Sequence, residues 1–437
     1  MSDSGVKWIG NIPNNWTVTK LKYLIDKVSS GGTPDSSNDM YYSLENGIPW
    51  VTISDMSTIR EVKKTTKKIS DLAIKDKKLT IYKPGVLLLA MYASVGKVAR
   101  LCVPATVNQA ILAIECNKEK LSLAYSEYCF NAYEPYLMSE SNGTTQFNLN
   151  ANTVLNLYVP YIPLPIQNKI VEVLDDKIGK IDALIANENK QIEKLEEYKK
   201  AVITKAVTKG LDPNARMKDS GVQWIGKIPE GWNTIKIKFT SWLKGRIGWD
   251  GLKSSEFIDE GPFLITGTDF ENGHINWNTC VHISEERFQE DELLHIKEND
   301  LLITKDGTIG KLAIVENCPE KVSLNSGVMI IRNDSNYKYV DRYMYYLLQS
   351  NQFNLWFELS QSGNSTIRHL YQGQFYDFEY TYPSLFEQQQ IANYLDNKCK
   401  KISEIIEIKK SKIEKLQDYK KSLIYEYVTG KKEVSNA

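Results

Sequence analysis

The feature that most constrains this chain is that it is written twice. Residues 3–16 read DSGVKWIGNIPNNW and residues 219–232 read DSGVQWIGKIPEGW, with ten of 14 positions identical at an offset of 216. Residues 170–208 align with 391–429 at an offset of 221, with 17 of 39 positions identical. Between these anchors the likeness is weaker but collinear. Ala93-Ser-Val-Gly-Lys97 faces Gly307-Thr-Ile-Gly-Lys311, Asn108 faces Asn325, and Gly143-Thr-Thr-Gln146 faces Asn364-Ser-Thr-Ile367. A unit of about 215–220 residues is therefore repeated, and its ends are more alike than its middle. Two copies doing one job at one target would keep matching interiors. A shared frame with two interiors points to two different ligands. Old duplication with drift in surface loops is the plain alternative.

The second anchor is a pair of helices. Leu174, Ile178, Ile181, Ile185, Ile192, Leu195 and Val202 recur at alternating steps of four and three, the seam of a coiled coil. The second copy supplies Leu395, Cys399, Ile402, Ile406, Ile413, Leu416 and Leu423. Pro163 and Pro165 precede the first run and Gly210 follows it; Pro383 and Gly430 bracket the second. At about 1.5 Å per residue each helix reaches roughly 60 Å. So narrow a stripe needs a partner helix, and a pseudo-twofold between copies makes the pair antiparallel. Glu188 and Lys409 occupy equivalent polar rungs near the helix midpoints and are expected to approach each other and help set register.

The intervening parts, 17–160 and 233–382, carry short β-type runs such as Val86-Leu-Leu-Leu-Ala90 and Asp300-Leu-Leu-Ile-Thr304, separated by turn signals. The aromatic stretches Tyr125–Tyr136 and Arg342–Leu348 suggest one buried helix per copy. The expected fold is α+β: two pseudo-symmetric mixed domains separated by a pair of long antiparallel coiled-coil helices. Their bounds are 1–160 and 213–382 for the domains, and 161–212 and 383–437 for the helices.

Catalytic signals are missing. Gly96-Lys97 and Gly310-Lys311 lack the spacing and hydroxyl of a phosphate loop. The four histidines and six cysteines show no metal-ligand spacing, so neither a metal nor a cofactor is expected. With no leader-like or membrane-spanning run and with cysteines read as reduced thiols, a cytoplasmic protein without membrane contact is expected. Its 54 basic and 54 acidic residues cancel. That argues against coating nucleic acid by bulk charge but permits a local basic groove.

Four loop groups could meet DNA. Lys97 and Lys311 each follow a glycine on a turn. Thr144, Thr145, Gln146 and Asn148 in the first copy, and Ser365, Thr366 and Arg368 in the second, carry hydroxyl, amide and guanidinium groups able to pair with base edges. Turns whose polar groups satisfy their own backbone are the bland alternative. Arg60–Lys78 holds eight basic and three acidic residues and could contact phosphates, whereas its expected counterpart around His282–Asp300 is acidic. The WIGxIPxxW segments are expected to strap the start of each domain onto a helix.

The chain resembles the specificity subunits of type I restriction–modification enzymes. The resemblance spans essentially the whole chain. It rests on the paired DSGVxWIGxIPxxW openings, the GTIGK turn at 307–311, the GTTQ and NSTI turns, and the glutamine-bearing helix entries Gln167–Ile170 and Gln388–Ile391. Copy one departs from the pattern at Ala93-Ser-Val. The resemblance implies a non-catalytic subunit in a host-defence system, each domain reading half of a split sequence in double-stranded DNA. It also implies helices that space the halves and dock two modification (methyltransferase) subunits, with restriction (translocase/nuclease) subunits added through them. The contrasting expectation is a coiled-coil scaffold whose domains bind peptides or glycans.

Overall fold

The computed structural model describes residues 1–43, 46–56, 60–92, 95–139, 149–246, 251–333, 338–361 and 368–434. The chain forms two compact units. One comprises Met1–Glu188 with Lys410–Ala437, the other Asn189–Lys409.

In the first unit, strands Ile25–Ser30, Ile111–Cys116, Leu87–Ala90, Val98–Leu101 and Glu61–Val62 lie in that order, antiparallel except for the last pair. A second sheet orders Thr106–Val107, Ile48–Val51, Lys67–Ile69 and Tyr42–Ser43. The second unit repeats the plan with Ser241–Gly245, Val328–Asn333, Leu301–Thr304 and Leu312–Ile314, and a smaller sheet of Val322–Leu324, Ile258–Ile265 and Val281–His282. The period of two in the central strands explains the layering. Leu87 and Leu89 enter a core shared with the helices, whereas Leu88 enters one shared with the smaller sheet. Leu301 and Ile303 divide from Leu302 in the same way. A strand apolar at every position is needed because both of its faces are covered.

The expected buried helices are Leu123–Ser139 in the first unit and Asp341–Gln349 in the second, the latter followed by Asn351–Ser360. The long helices run Leu164–Lys209 and Leu385–Val428. The first begins earlier than the prolines suggested, and Pro165 sits inside its first turn. No intrahelical N–H is lost there, because first-turn amides have no partner. Ser384 and Glu387 cap the second reciprocally: the Glu387 N–H donates to Ser384 Oγ and the Ser384 N–H to the Glu387 carboxylate.

Each unit pairs the two long helices antiparallel. In the first, Lys412 Nζ meets Glu188 at 2.6 Å and Lys420 Nζ meets Asp182 at 2.6 Å. In the second, Lys409 Nζ donates to Gln191 at 2.5 Å and Lys199 Nζ to Ser403 at 2.9 Å. One residue number rises as the other falls. The seam residues Leu174, Ile178, Ile181, Leu395, Ile402 and Ile406 are buried, and Ile185, Ile192, Leu195, Ile413 and Leu416 half-buried. Glu188 is buried on the seam, with the Lys412 ammonium on its carboxylate.

Each domain also grips the end of the other copy's helix. In the first unit Tyr125 OH donates to the Val428 carbonyl at 3.2 Å, and in the second Thr381 Oγ1 donates to the Val207 carbonyl at 2.6 Å. The WIGxIPxxW strap joins this grip. Trp8 Nε1 donates to Tyr158 O and Trp224 Nε1 to Glu379 O, while Gly430 lies against Pro13 and Trp16, and Gly210 against Pro229 and Trp232. The strap thus touches a strand as well as a helix end. Both glycines have positive φ, and a Cβ on Gly430 would come within 2.5 Å of Pro13.

Leu395 has no exposed surface and belongs to the second unit's main core. Leu395→Ala is expected to cost about 2–5 kcal/mol in denaturant unfolding. Leu184→Ala, on the exposed face of the first long helix, should cost less than about 1 kcal/mol. Equal costs would contradict the seam.

Candidate nucleic-acid interface

At one edge of each domain, loops from five parts of the chain come together, and the same backbone bonds bring them there in both copies. Gly96 N donates to Ala90 O at 3.2 Å, as Gly310 N does to Thr304 O at 3.0 Å. Asn108 N donates to Val51 O at 2.8 Å, as Asn325 N does to Ile265 O at 2.9 Å. The chain re-enters through Leu149 N to Met91 O in one unit and Leu370 N to Lys305 O in the other. The alignment of Asn108 with Asn325 and of Lys97 with Lys311 therefore holds in three dimensions.

At the centre of each edge stands a buried aspartate. Asp55 accepts from Thr52 N at 2.8 Å, Thr52 Oγ1 at 2.7 Å, Thr66 N at 2.9 Å and Thr66 Oγ1 at 2.9 Å. Asp269 accepts from Thr266 N at 2.7 Å, Thr266 Oγ1 at 2.9 Å and Thr279 Oγ1 at 2.9 Å. Burial raises the Asp55 pKa and the four donors lower it; the donors win, and its carboxyl sits below its ordinary value. Each hub ties the turn after one strand of the smaller sheet to the turn before its next strand. The sequence reading missed these residues. The signal was present as Thr-x-Ser/Thr-Asp at 52–55 and 266–269, offset by 214.

The hubs also correct one alignment. Thr66 corresponds to Thr279, and the helix caps Ser70 and Ser284 correspond in turn. The counterpart of the basic run thus starts near His274, and only its later half meets the acidic stretch. A collinear alignment of the two copies had no hydrogen bonds to anchor it in this divergent stretch.

Lys311 is exposed, its Nζ 3.4 Å from Gly267 O, beside the hub turn. Lys97 is half-buried at the equivalent turn, behind Gly96 with φ of 87°. Arg368 pairs with Glu358. Thr144, Thr145, Gln146, Asn148, Ser365 and Thr366 lie outside the described residues. Arg60 turns inward. It meets the fully buried Glu127 at 2.5 Å and Asp175 at 2.9 Å, so the leading cation of the basic run is a structural one. Burial works against its charge most strongly, but the bonds and charges of Glu127, Tyr128 and Asp175 together outweigh it and raise its pKa.

Below the second edge lie two cations that the sequence did not single out. Arg246 is almost fully buried, with Nε donating to Leu324 O at 3.1 Å. Lys305 is buried, with Nζ donating to Arg246 O at 3.0 Å, and burial pushes its ammonium below the ordinary lysine value. His369 contacts Asp306 beside them. Among the described residues no group of three or more His, Cys, Asp or Glu is arranged to hold a metal.

The edges are held to the long helices by a repeated set of ties. Tyr128 OH donates to Asp175 at 2.6 Å and Tyr346 OH to Asp396 at 2.7 Å. Gln167, buried, accepts from Ser122 N at 2.8 Å, and Gln388, buried, from Val340 N at 2.9 Å.

Comparison with known proteins agrees with this architecture. The family model described as the type I restriction modification DNA specificity domain matches residues 13–196 and 248–417. The MjaVIII type I restriction enzyme specificity subunit of Methanocaldococcus jannaschii is 26% identical over 436 residues, covering 97% of this chain and 95% of its own. The putative MjaX specificity subunit of the same organism is 26% identical over 442 residues, covering 98% and 96%. The EcoBI specificity subunit of Escherichia coli is 24% identical over 276 residues, covering 61% and 56%. A chain from a structural study of complex assembly and conformational transition in a type I R-M system superposes with a TM-score of 0.68 at 16% identity, over 96% of this chain and 98% of that one, a likeness of fold. With the family model matched in both copies, across most of the chain, this protein belongs to the type I restriction–modification DNA specificity family.

Proposed function

We propose that the chain is the sequence-specific DNA-recognition subunit of a type I restriction–modification complex, reading a bipartite target with one domain per half. One observation carries this reading: two edges built on the same strand order and the same Asp–Thr hub present unlike side chains. A common frame with different rims suits two readers of different base sequences in one duplex. Lys97 and Lys311, with Thr144, Thr145, Gln146, Asn148, Ser365, Thr366 and Arg368, are the proposed contact groups. The chain supplies no chemistry of its own; methylation and cleavage belong to two modification subunits and to the restriction subunits they recruit. The long helices act as the spacer and the docking surface for the modification subunits. Polar rungs at Glu188 and Lys409 contribute to the register of that spacer. A cytoplasmic location follows from its DNA target.

The test is selection from a random duplex pool by the chain assembled with its modification subunits. Two short elements at a fixed gap are the expected result. Enrichment of one uninterrupted motif, or of none, rejects the reading.

A further inference from the structure

The two edges share a hub but differ in what the hub holds. In the first unit the stretch around Thr66 carries Lys63, Lys64 and Lys67, all exposed, with Lys63 meeting Glu61 at 2.7 Å. In the second unit the equivalent residues are Asn276, Trp277, Asn278 and Cys280, without a cation. We propose that the loop Lys63–Lys67 is a clamp for the DNA phosphate backbone that has no equivalent in the second unit, so that the two halves of one target are held by unequal electrostatics. This rests on the DNA-recognition reading.

The loop is prepared for the task. Thr66 is fastened to Asp55 through both its amide and its hydroxyl, Thr65 Oγ1 donates to Lys67 O at 2.6 Å, and Lys67 pairs in register with Trp50. A loop already ordered loses little conformational freedom when its lysines meet phosphate. The strand Lys67–Ile69 is followed by the helix Asp71–Lys77, which carries Lys75 and Lys77.

The second unit disposes of its charge differently. Arg246 and Lys305 are buried beneath the edge, Arg246 donating to Leu324 O and Ser323 Oγ and Lys305 to Arg246 O, and Arg368 is matched by Glu358. The chain beyond its hub loop is acidic and engages its neighbouring cations, Glu285 with Lys321, Glu290 with Arg287 and Asp291 with Lys244. Lys311 is a cation that its edge does expose. Backbone attraction is therefore concentrated in the first unit, and the second contributes more through base contacts, with the exposed Asn278 as one amide suited to a base edge.

The experiment measures the salt dependence of binding, using the assembled complex and the duplex that the wild type selects. Each phosphate contact contributes about 0.9 to the slope of log affinity against log salt. The double variant Lys64→Gln/Lys67→Gln is expected to reduce that slope by roughly 2, making the affinity lost between about 50 and 200 mM salt some tenfold smaller. The selected bases should be unchanged in both halves. The control Lys75→Gln/Lys77→Gln removes the same charge from the neighbouring helix and should leave the slope within about 0.5 of wild type. An unchanged slope in the first variant, an equal drop in the control, or altered base preference overturns the clamp. If the wild type selects a split motif and the first variant behaves like it, the clamp alone falls. If the wild type selects no motif, the recognition reading falls and takes the clamp with it.

Discussion

Exchanging residues 17–160 for the corresponding segment of another family member is expected to change the bases chosen in one half of the target and leave the other half as it was. The reason lies in how the domain is attached. Its ties to the frame come from residues found in both copies: a tyrosine to a helix aspartate (Tyr128–Asp175, Tyr346–Asp396), a helix glutamine to the domain backbone (Gln167, Gln388), and a strap tryptophan to a strand carbonyl (Trp8, Trp224). A donor segment with a tyrosine at the position of Tyr128 would find the same sockets. The tie that a donor must also match is specific to this copy, the Arg60–Glu127–Arg100 cluster against Asp175, and it travels largely within the exchanged segment. Each misread base pair costs about 1–3 kcal/mol, so preference at every altered position should move by roughly 5- to 150-fold. Duplex selection with the exchanged chain reads this directly. Changes in both halves would mean that the domains do not read independently.

Loss of the hub carboxylate should be nearly as damaging, and locally so. Asp55→Ala leaves the amides of Thr52 and Thr66 without their acceptor in a part-buried site, at about 1–3 kcal/mol each. Hydrogen exchange at those two amides is expected to accelerate by 100-fold or more, while amides in Leu87–Ala90 keep their protection. The same change should weaken selection in the half read by the first unit, and Asp269→Ala in the other half. The pH dependence has a definite sign. Asp55 is held below its unfolded value, so the stability it contributes is complete above about pH 4–5 and is lost as pH falls through the folded value. Wild type and Asp55→Asn should therefore differ most near neutral pH and converge as the pH falls through the folded value. Protection of Thr52 and Thr66 that survives Asp55→Ala would show that the loop is ordered by something else.

The candidate interface was only partly legible beforehand. Glycine with a following lysine marked the turns at Lys97 and Lys311 because a positive φ constrains residue choice locally. The basic run was equally visible, but its members divide three ways in the fold. Arg60 neutralises the buried Glu127; Lys63, Lys64 and Lys67 are exposed beside the hub threonine; and Lys75 and Lys77 stand on a helix. Charge is a property of a residue, whereas its use depends on which carboxylates the fold brings near it. Arg246 and Lys305 make the same point. Nothing local separates them from surface cations, yet strand packing buries both and turns their donors onto nearby carbonyls and the Ser323 hydroxyl.

The amino-acid sequence by itself determined the duplication, the α+β class, the short apolar strand runs and the helix seam through Leu174, Ile178, Leu395 and Ile402. All of these are periodicities or identities, written within a few residues of one another or copied at a constant offset. Only the tertiary structure decided that each domain closes on the end of the other copy's helix. It likewise decided that two threonines from separate turns converge on one aspartate, and which lysines of the basic run stay exposed. Those outcomes depend on strand pairing and on burial, which join residues far apart in the chain and leave no regular trace in it.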